Sequence, residues 1–270
     1  MIIEDEVLAK DFLLNVGYYR LGFYWYHFEK NNQEKRHCHS FHEGVRFEDI
    51  VSLYKFDKRL LDLIIAYLND IEFALKTRMI YYVSHAYPNQ PAWFADLSVV
   101  TAQTCEFVES IYPTFTCNDV LRRHHAYYRN DKFAPAWKTI EFFSFGQLCK
   151  VYDGLQDINV KRDISQLYDI RNPIIFSRYL DALRRLRNAC AHGHNAYDIA
   201  LTKPLPSKGV VNIPAEQTPH IGGLIAVMKH FLDNMQRTSP SQFAEKLNAL
   251  IAEQPPFVKN HIAYFGLRAV

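Results

Sequence analysis

From Leu53 to Tyr82 the apolar positions Leu53, Phe56, Leu60, Ile64, Leu68, Ile71, Leu75, Met79 and Tyr82 fall three or four residues apart throughout. That spacing puts side chains on one face of an α-helix and predicts a long amphipathic helix here. Residues 5–28 predict a second helix with unusual aromatic weight, and 97–112 a shorter one closed by Pro113. Residues 135–154 read as one helix with Pro135 in its first turn, followed by a short helical stretch over 163–168. The break Asn172-Pro173 and the later Gly193 bracket a periodic helix from Ile174 to Ala191. Helices over 224–235 and 241–252 close the pattern. Residues 29–44 are polar and His-rich and predict a loop. Pro204, Pro206, Pro214 and Pro219 make 202–223 an irregular surface connection, and 255–270 is expected to be irregular.

The fold class expected is therefore all-α. Residues 1–200 form a helical core with an N-terminal extension, 201–223 a connection, and 224–270 a helical segment packing on the same domain. Composition supports this: 10 glycines in 270 residues is about half the usual share, which suits helices better than a turn-rich sandwich. The apolar stretches are too short for a membrane span of about 20 residues. The acidic N-terminus does not resemble a secretory signal, and five cysteines without repeating spacing do not suggest a disulfide framework. A cytoplasmic protein is expected.

Net charge is only +2, but its distribution is uneven. Residues 118–190 carry 13 Lys and Arg against 8 Asp and Glu, a balance of +5, which leaves −3 for the remainder. A local excess of this size is compatible with a phosphate-bearing partner, although a solvated helix face with surplus Arg is the commoner explanation. His124 and His125, beside Arg122 and Arg123, read as part of such a face.

The helix ending near Ala191 carries the chemistry. At 100° per residue, Phe176, Tyr179, Leu180, Leu183, Leu186 and Cys190 form an apolar stripe with Arg187 inside it. A guanidinium there must be paired, exposed by a groove, or facing another subunit. His192 lies about 140° round the helix from Arg187, so one straight helix cannot aim both at one phosphate. Either the helix ends before His192, as Gly193 would permit at C′, or two copies of the helix pool their side chains. Histidine moves protons near neutral pH, and an arginine fork holds the added negative charge of a crowded phosphate, so the pair suits phosphodiester cleavage without a metal. Asn188 could orient the imidazole or donate to a phosphate oxygen.

The string Leu186-Arg187-Asn188-Ala189-Cys190-Ala191-His192 resembles the Arg-Asn-x-x-x-His motif of the HEPN superfamily of helical ribonucleases. The wider pattern resembles the abortive-infection (Abi) D/F-type family of bacterial phage-defence proteins within it. The supporting blocks are Val16-Gly17-Tyr18-Tyr19-Arg20-Leu21 with Gly22-Phe23-Tyr24-Trp25-Tyr26, then Phe47-Glu48-Asp49-Ile50 and Leu53-Tyr54-Lys55-Phe56-Asp57. Trp137 to Glu141 and Ser144-Phe145-Gly146-Gln147-Leu148 complete the ordered set, which spans about residues 12–200.

This resemblance implies a HEPN-like bundle with additional N- and C-terminal helices, and a homodimer whose two motifs share one cleft. It implies metal-independent RNA cleavage leaving a cyclic phosphate and a 5′-hydroxyl, with no cofactor. Arg187 and His192 carry over as catalytic residues and Asn188 as their support, with Glu72, Arg78 and His194 backing the site. Arg122, Arg123, Lys138, Arg178, Arg184 and Arg185 are the expected RNA contacts. The family commonly continues with a second His or an Arg and then a Trp, whereas Gly193-His194-Asn195-Ala196-Tyr197 follows here. The alternative reading is a dimer that holds a small structured noncoding RNA without cutting it. A third is an antidote or accessory subunit for a nucleotidyltransferase.

Three other features read as structural. His37-Cys38-His39 and His42, near Glu43, have the wrong spacing to close a tetrahedral metal site, so no metal is expected. The aromatic block from Tyr18 to Phe28 could stack bases, as single-strand binders do, but core packing is the better reading, and Cys190 reads as a small core residue rather than a nucleophile.

Overall fold

One helix organises the molecule: α3, Phe47–Ala86, runs for 40 residues and buries Leu53, Phe56, Leu60, Ile64, Leu68, Ile71, Leu75 and Met79. It begins before and ends after the predicted 53–82, because Glu48 and Asp49 complement the positive helix N-terminus and Val83 continues the buried stripe. The computed structural model describes residues 1–30, 40–193, 195–206, 210–235 and 242–268. The other helices are α1 (Glu6–Asn15), α2 (Tyr18–Trp25), α4 (Ala102–Ile111), α5 (Asp119–Tyr127), α6 (Ala136–Thr139), α7 (Phe145–Gly154) and α8 (Ile158–Gln166). After these come α9 (Pro173–Ala191), α10 (Ile221–Met235), α11 (Phe243–Ala252) and α12 (Pro256–Tyr264). Among the described residues the only β pairing is isolated bridges, so the fold is all-α. Helix α3 packs against α1, α2 and α6 through α12, and α9 packs on α3, α7, α8 and α10.

Several expected helices are broken. Gly17, at φ +91°, splits the predicted 5–28 helix into α1 and α2, since that backbone conformation is open to glycine and rare for other residues. The predicted 135–154 helix divides at Phe143, which is extended. Ser144 then opens α7 with a capping box: its Oγ accepts from the Gln147 N–H at 3.4 Å, and Gln147 Oε1 accepts from the Ser144 N–H at 2.8 Å. Ser144→Ala is expected to lower stability by about 1 kcal/mol in urea unfolding while leaving the transition cooperative.

Two helices were not expected. Asn118 caps α5 by accepting from the Val120 N–H, and α12 occupies the supposedly irregular C-terminus with Pro256 in its first turn and Val258 and Ile262 buried. The connection after residue 201 is irregular as expected, apart from a 3-10 turn at Ala215–Gln217. Helices α10, α11 and α12 all lie on α3.

Candidate functional site

Helix α9 starts as its sequence requires. Asn172 Oδ1 accepts from the Ile174 N–H at 2.9 Å, and Pro173 occupies the first turn, where a missing N–H costs nothing. Its stripe of Phe176, Tyr179, Leu180, Leu183 and Leu186 is buried. Arg187 sits at the border of that stripe with its side chain 32% exposed, and its Nε lies 3.9 Å from Oε2 of Glu72 on α3. The contact is an ion pair too long to be a hydrogen bond, and the buried Nε makes none. Glu72 is itself buried, with Lys76 Nζ 3.0 Å from Oε1, and Lys76 also donates to the Glu141 carbonyl at 3.1 Å. A buried carboxylate thus stands between two cations, and the more exposed of them belongs to the motif.

The helix ends where Gly193 allows it to. His192 is the exposed C-cap, its N–H donates to the Asn188 carbonyl at 3.0 Å, and Gly193 follows at φ +66°. Helix geometry sets Arg187 and His192 about 140° apart, and Arg187 lies against α3 while His192 sits at the exposed cap. Helix α2 brings a second cation to that cap: Arg20 Nη1 lies 3.9 Å from where a Cβ on Gly193 would be. Sequence reasoning did not single out Arg20, although it lies in one of the quoted blocks.

What holds this end of α9 is Asp57, fully buried on α3. Its carboxylate accepts from the Tyr24 hydroxyl at 2.8 Å and from the backbone N–H groups of Ala196 and Tyr197, each at 3.0 Å. Burial pushes the Asp57 carboxyl up to about 6, and these three donors pull it the other way. The Tyr24 and Tyr197 rings stack with centroids 5.9 Å apart. Asp198 completes the staple, with His27 Nε2 3.0 Å from Oδ2 and Asn195 Nδ2 donating to Oδ1 at 2.7 Å. Helices α2 and α3 are therefore tied to the segment that follows the motif.

A family model described as Abi-like protein matches residues 11–198, more than two thirds of the chain. The chain belongs to the Abi-like family. No curated protein and no solved structure matches it. The matched span starts within α1 and closes on Asp198, so it takes in Arg20, Asp57, Glu72, Arg187 and His192. It leaves α10, α11 and α12 outside the Abi-like match.

The remaining expected site residues of this Abi-like protein scatter. Asn188 is half-buried on α9. The Arg78 guanidinium lies over the Tyr168 ring at 4.3 Å, and Tyr168 packs on Phe176 at the start of α9, eleven residues or about 16 Å of helix away from Arg187. Arg78 is thus half-buried beside Tyr168, apart from the motif. His194 lies outside the described residues.

Among the expected RNA contacts, Arg184 and Arg185 both bind Asp181, Arg178 donates to the Pro204 carbonyl at 2.9 Å, and Arg122 pairs with Asp119. Arg178, Arg185 and Lys203 share a groove of about 250 Å³ with Asp153 and Asp181, which nearly balances its charge. Arg123 is exposed on α5 and Lys138 half-buried on α6.

The His124–His125 pair is not the solvated face expected. His124 is buried, stacked on Tyr128 with Nε2 3.2 Å from Asp131 Oδ2, and burial holds its imidazole below the usual range. His125 bonds the Tyr112 hydroxyl at 2.8 Å. Both anchor α5, whose helical spacing turns them inward.

Burial pushes the Cys190 thiol up to about 12, consistent with a packing role. The His37-Cys38-His39 segment lies outside the described residues. Among those described, no helix is long and apolar enough to cross a membrane. The aromatic block divides. Tyr24 and Trp25 are buried, but Tyr18, Tyr19 and Phe23 are 56%, 81% and 48% exposed, against the expectation of core packing. An eight-residue helix on the surface of a bundle has only one face to bury.

Proposed function

We propose that this Abi-like protein is a metal-independent endoribonuclease acting in abortive infection, the arrest of phage propagation by an infected bacterium. The reading rests on one observation above all: a half-exposed Arg187 held by the buried Glu72, five residues before a histidine that caps the helix. Arg187 supplies a fixed positive charge where the phosphate gains negative charge, and its planar fork suits a phosphate. His192 moves the proton, either from the ribose 2′-hydroxyl that attacks phosphorus or to the departing 5′-oxygen. The 2′-oxygen–phosphorus bond forms as the phosphorus–5′-oxygen bond breaks, leaving a 2′,3′-cyclic phosphate and a 5′-hydroxyl. These residues supply both charge and proton transfer, so the step needs no metal.

Because about 140° of helix turn separates Arg187 from His192, a complete site combines residues of two protomers in a homodimer, one imidazole serving as base and its mate as acid. Arg20 beside Gly193 adds a cation for the same strand.

The test is RNA cleavage in excess chelator. The wild-type protein is expected to cut and to leave cyclic phosphate ends, and His192→Ala to lose at least a hundredfold in rate. Equal cleavage by both proteins, or activity only on adding a divalent metal, overturns the reading. A discrete RNA that co-purifies and is never turned over supports instead the dimer that holds a noncoding RNA.

A further inference from the structure

We propose that the cavity beside the end of α9 binds one unpaired nucleobase of single-stranded RNA, a base carrying an exocyclic amino group. The cavity measures about 500 Å³, within the range of small-ligand sites, and is lined by Tyr18, Tyr19, Gly22, Phe23, Asn195 and Asp198 among others. Its walls are aromatic rings that remain exposed in a folded chain. Tyr19 and Phe23, one turn apart on α2, meet edge to face with centroids 5.3 Å apart. Rings so arranged offer a face to a planar guest, and stacking on aromatic side chains is how proteins hold the splayed bases of unpaired RNA.

Gly22 lines the cavity without a side chain. A Cβ there would meet nothing nearer than Trp25 Nε1 at 3.8 Å, so the space is real rather than a gap between clashing atoms.

One end of the cavity is polar, and its chemistry selects the guest. Each Asp198 oxygen already accepts one hydrogen bond, from His27 Nε2 at 3.0 Å and from Asn195 Nδ2 at 2.7 Å, and each retains a further lone pair. A carboxylate only accepts, so it suits the amino group of adenine, guanine or cytosine and has less to offer uracil. It repels phosphate, which fixes the orientation: base inward and backbone outward. Asn195 is three residues beyond His192, at most about 11 Å of chain, and Arg20 on the same helix as the stacking rings reaches Gly193. A base in the cavity therefore leaves its own backbone beside the motif. This deepens the endoribonuclease reading, giving the site a preference for unpaired RNA, and rests on it.

The experiment titrates protein into a short single-stranded oligonucleotide carrying one 2-aminopurine and 2′-O-methyl riboses throughout, which has no 2′-hydroxyl to attack. Wild-type protein is expected to quench the fluorescence as the base stacks. Tyr19→Ala should bind roughly 5- to 100-fold more weakly and lose the quench, while Tyr19→Phe keeps both. Gly22→Leu fills the cavity from a position with room for a side chain and should also abolish the quench. An abasic site in place of 2-aminopurine should weaken wild-type binding and leave Tyr19→Ala unaffected.

Unchanged binding and quench in Tyr19→Ala and Gly22→Leu, or no quench by the wild-type protein, overturns the proposal. So does a dimer in size exclusion that Tyr19→Ala splits, because the rings then face a second protomer. Cleavage of unmodified RNA is measured alongside: quench without cleavage removes the nuclease reading and leaves this site, and cleavage without quench does the reverse.

Discussion

Arg187→Ala is expected to lower RNA cleavage by about a hundred- to a thousandfold, the usual consequence of removing one fixed donor from a developing oxyanion. The same substitution should change stability by less than about 1 kcal/mol, for three reasons. The side chain is 32% exposed, its Nε stands 3.9 Å from Glu72, and Glu72 keeps Lys76 at 3.0 Å when Arg187 is gone. Activity and stability therefore separate at this residue, which they seldom do at a buried one. Arg187→Lys retains the charge without the fork and should recover part of the rate. Initial rates on a fluorescent single-stranded RNA, read beside a urea melt of each variant, decide the matter. A variant that melts like the wild type and still cuts at the wild-type rate removes Arg187 from the chemistry.

The period of the apolar positions carried most of the fold, because it reports burial directly. The 53–82 stripe located α3, and Asn172-Pro173 and Gly193 located both ends of α9. The failures have a common cause. Period alone does not show where one helix stops and a second continues on the same face, so the breaks at Gly17 and Phe143 were merged into longer helices. Both had local chemistry to mark them: a glycine at the first and the Ser144-x-x-Gln147 capping box at the second. Helix α12 was missed because only two of its positions, Val258 and Ile262, are fully buried, too few to make a stripe.

The candidate site was legible where residues are close in sequence and hidden where they are not. Arg187, Asn188 and His192 lie on one helix and could be read as a group. The partners of that group come from α2 and α3, and no spacing connects Arg20 or Asp57 to residue 193 or 196. Glu72 was expected on the strength of resemblance and does meet Arg187. Arg78 was expected on the same grounds and meets Tyr168. Glu72 and Arg78 are six residues apart on α3, about 600° of turn, so they cannot share a face. The aromatic block misled because enrichment does not separate the buried Tyr24 and Trp25 from the exposed Tyr19 and Phe23; one helix presents both faces.

Asp57→Ala should be the most destabilising single substitution at the site, by about 3 kcal/mol at pH 5, because it orphans three donors in a dry interior. The Tyr24 hydroxyl and the N–H groups of Ala196 and Tyr197 converge on this one carboxyl, and nothing else of α3 replaces it there. At pH 4 Asp57→Asn should cost about 1 kcal/mol, since its amide oxygen can take both backbone N–H groups while its NH₂ faces the tyrosine oxygen. The two variants also fix the pH dependence. Burial raises the folded-state carboxyl to about 6 against an unfolded value of about 3.9, so the folded protein binds this proton more tightly than the unfolded chain. Stability from Asp57 is then fully present below about pH 4 and is lost as pH rises through 6; two units correspond to about 3 kcal/mol. Asp57→Asn cannot titrate there, so between pH 4 and pH 7 the wild-type protein should lose about 2 kcal/mol relative to it in urea unfolding. A difference that stays flat across that window means that the three donors offset the burial and that the carboxyl titrates as it does in the unfolded chain.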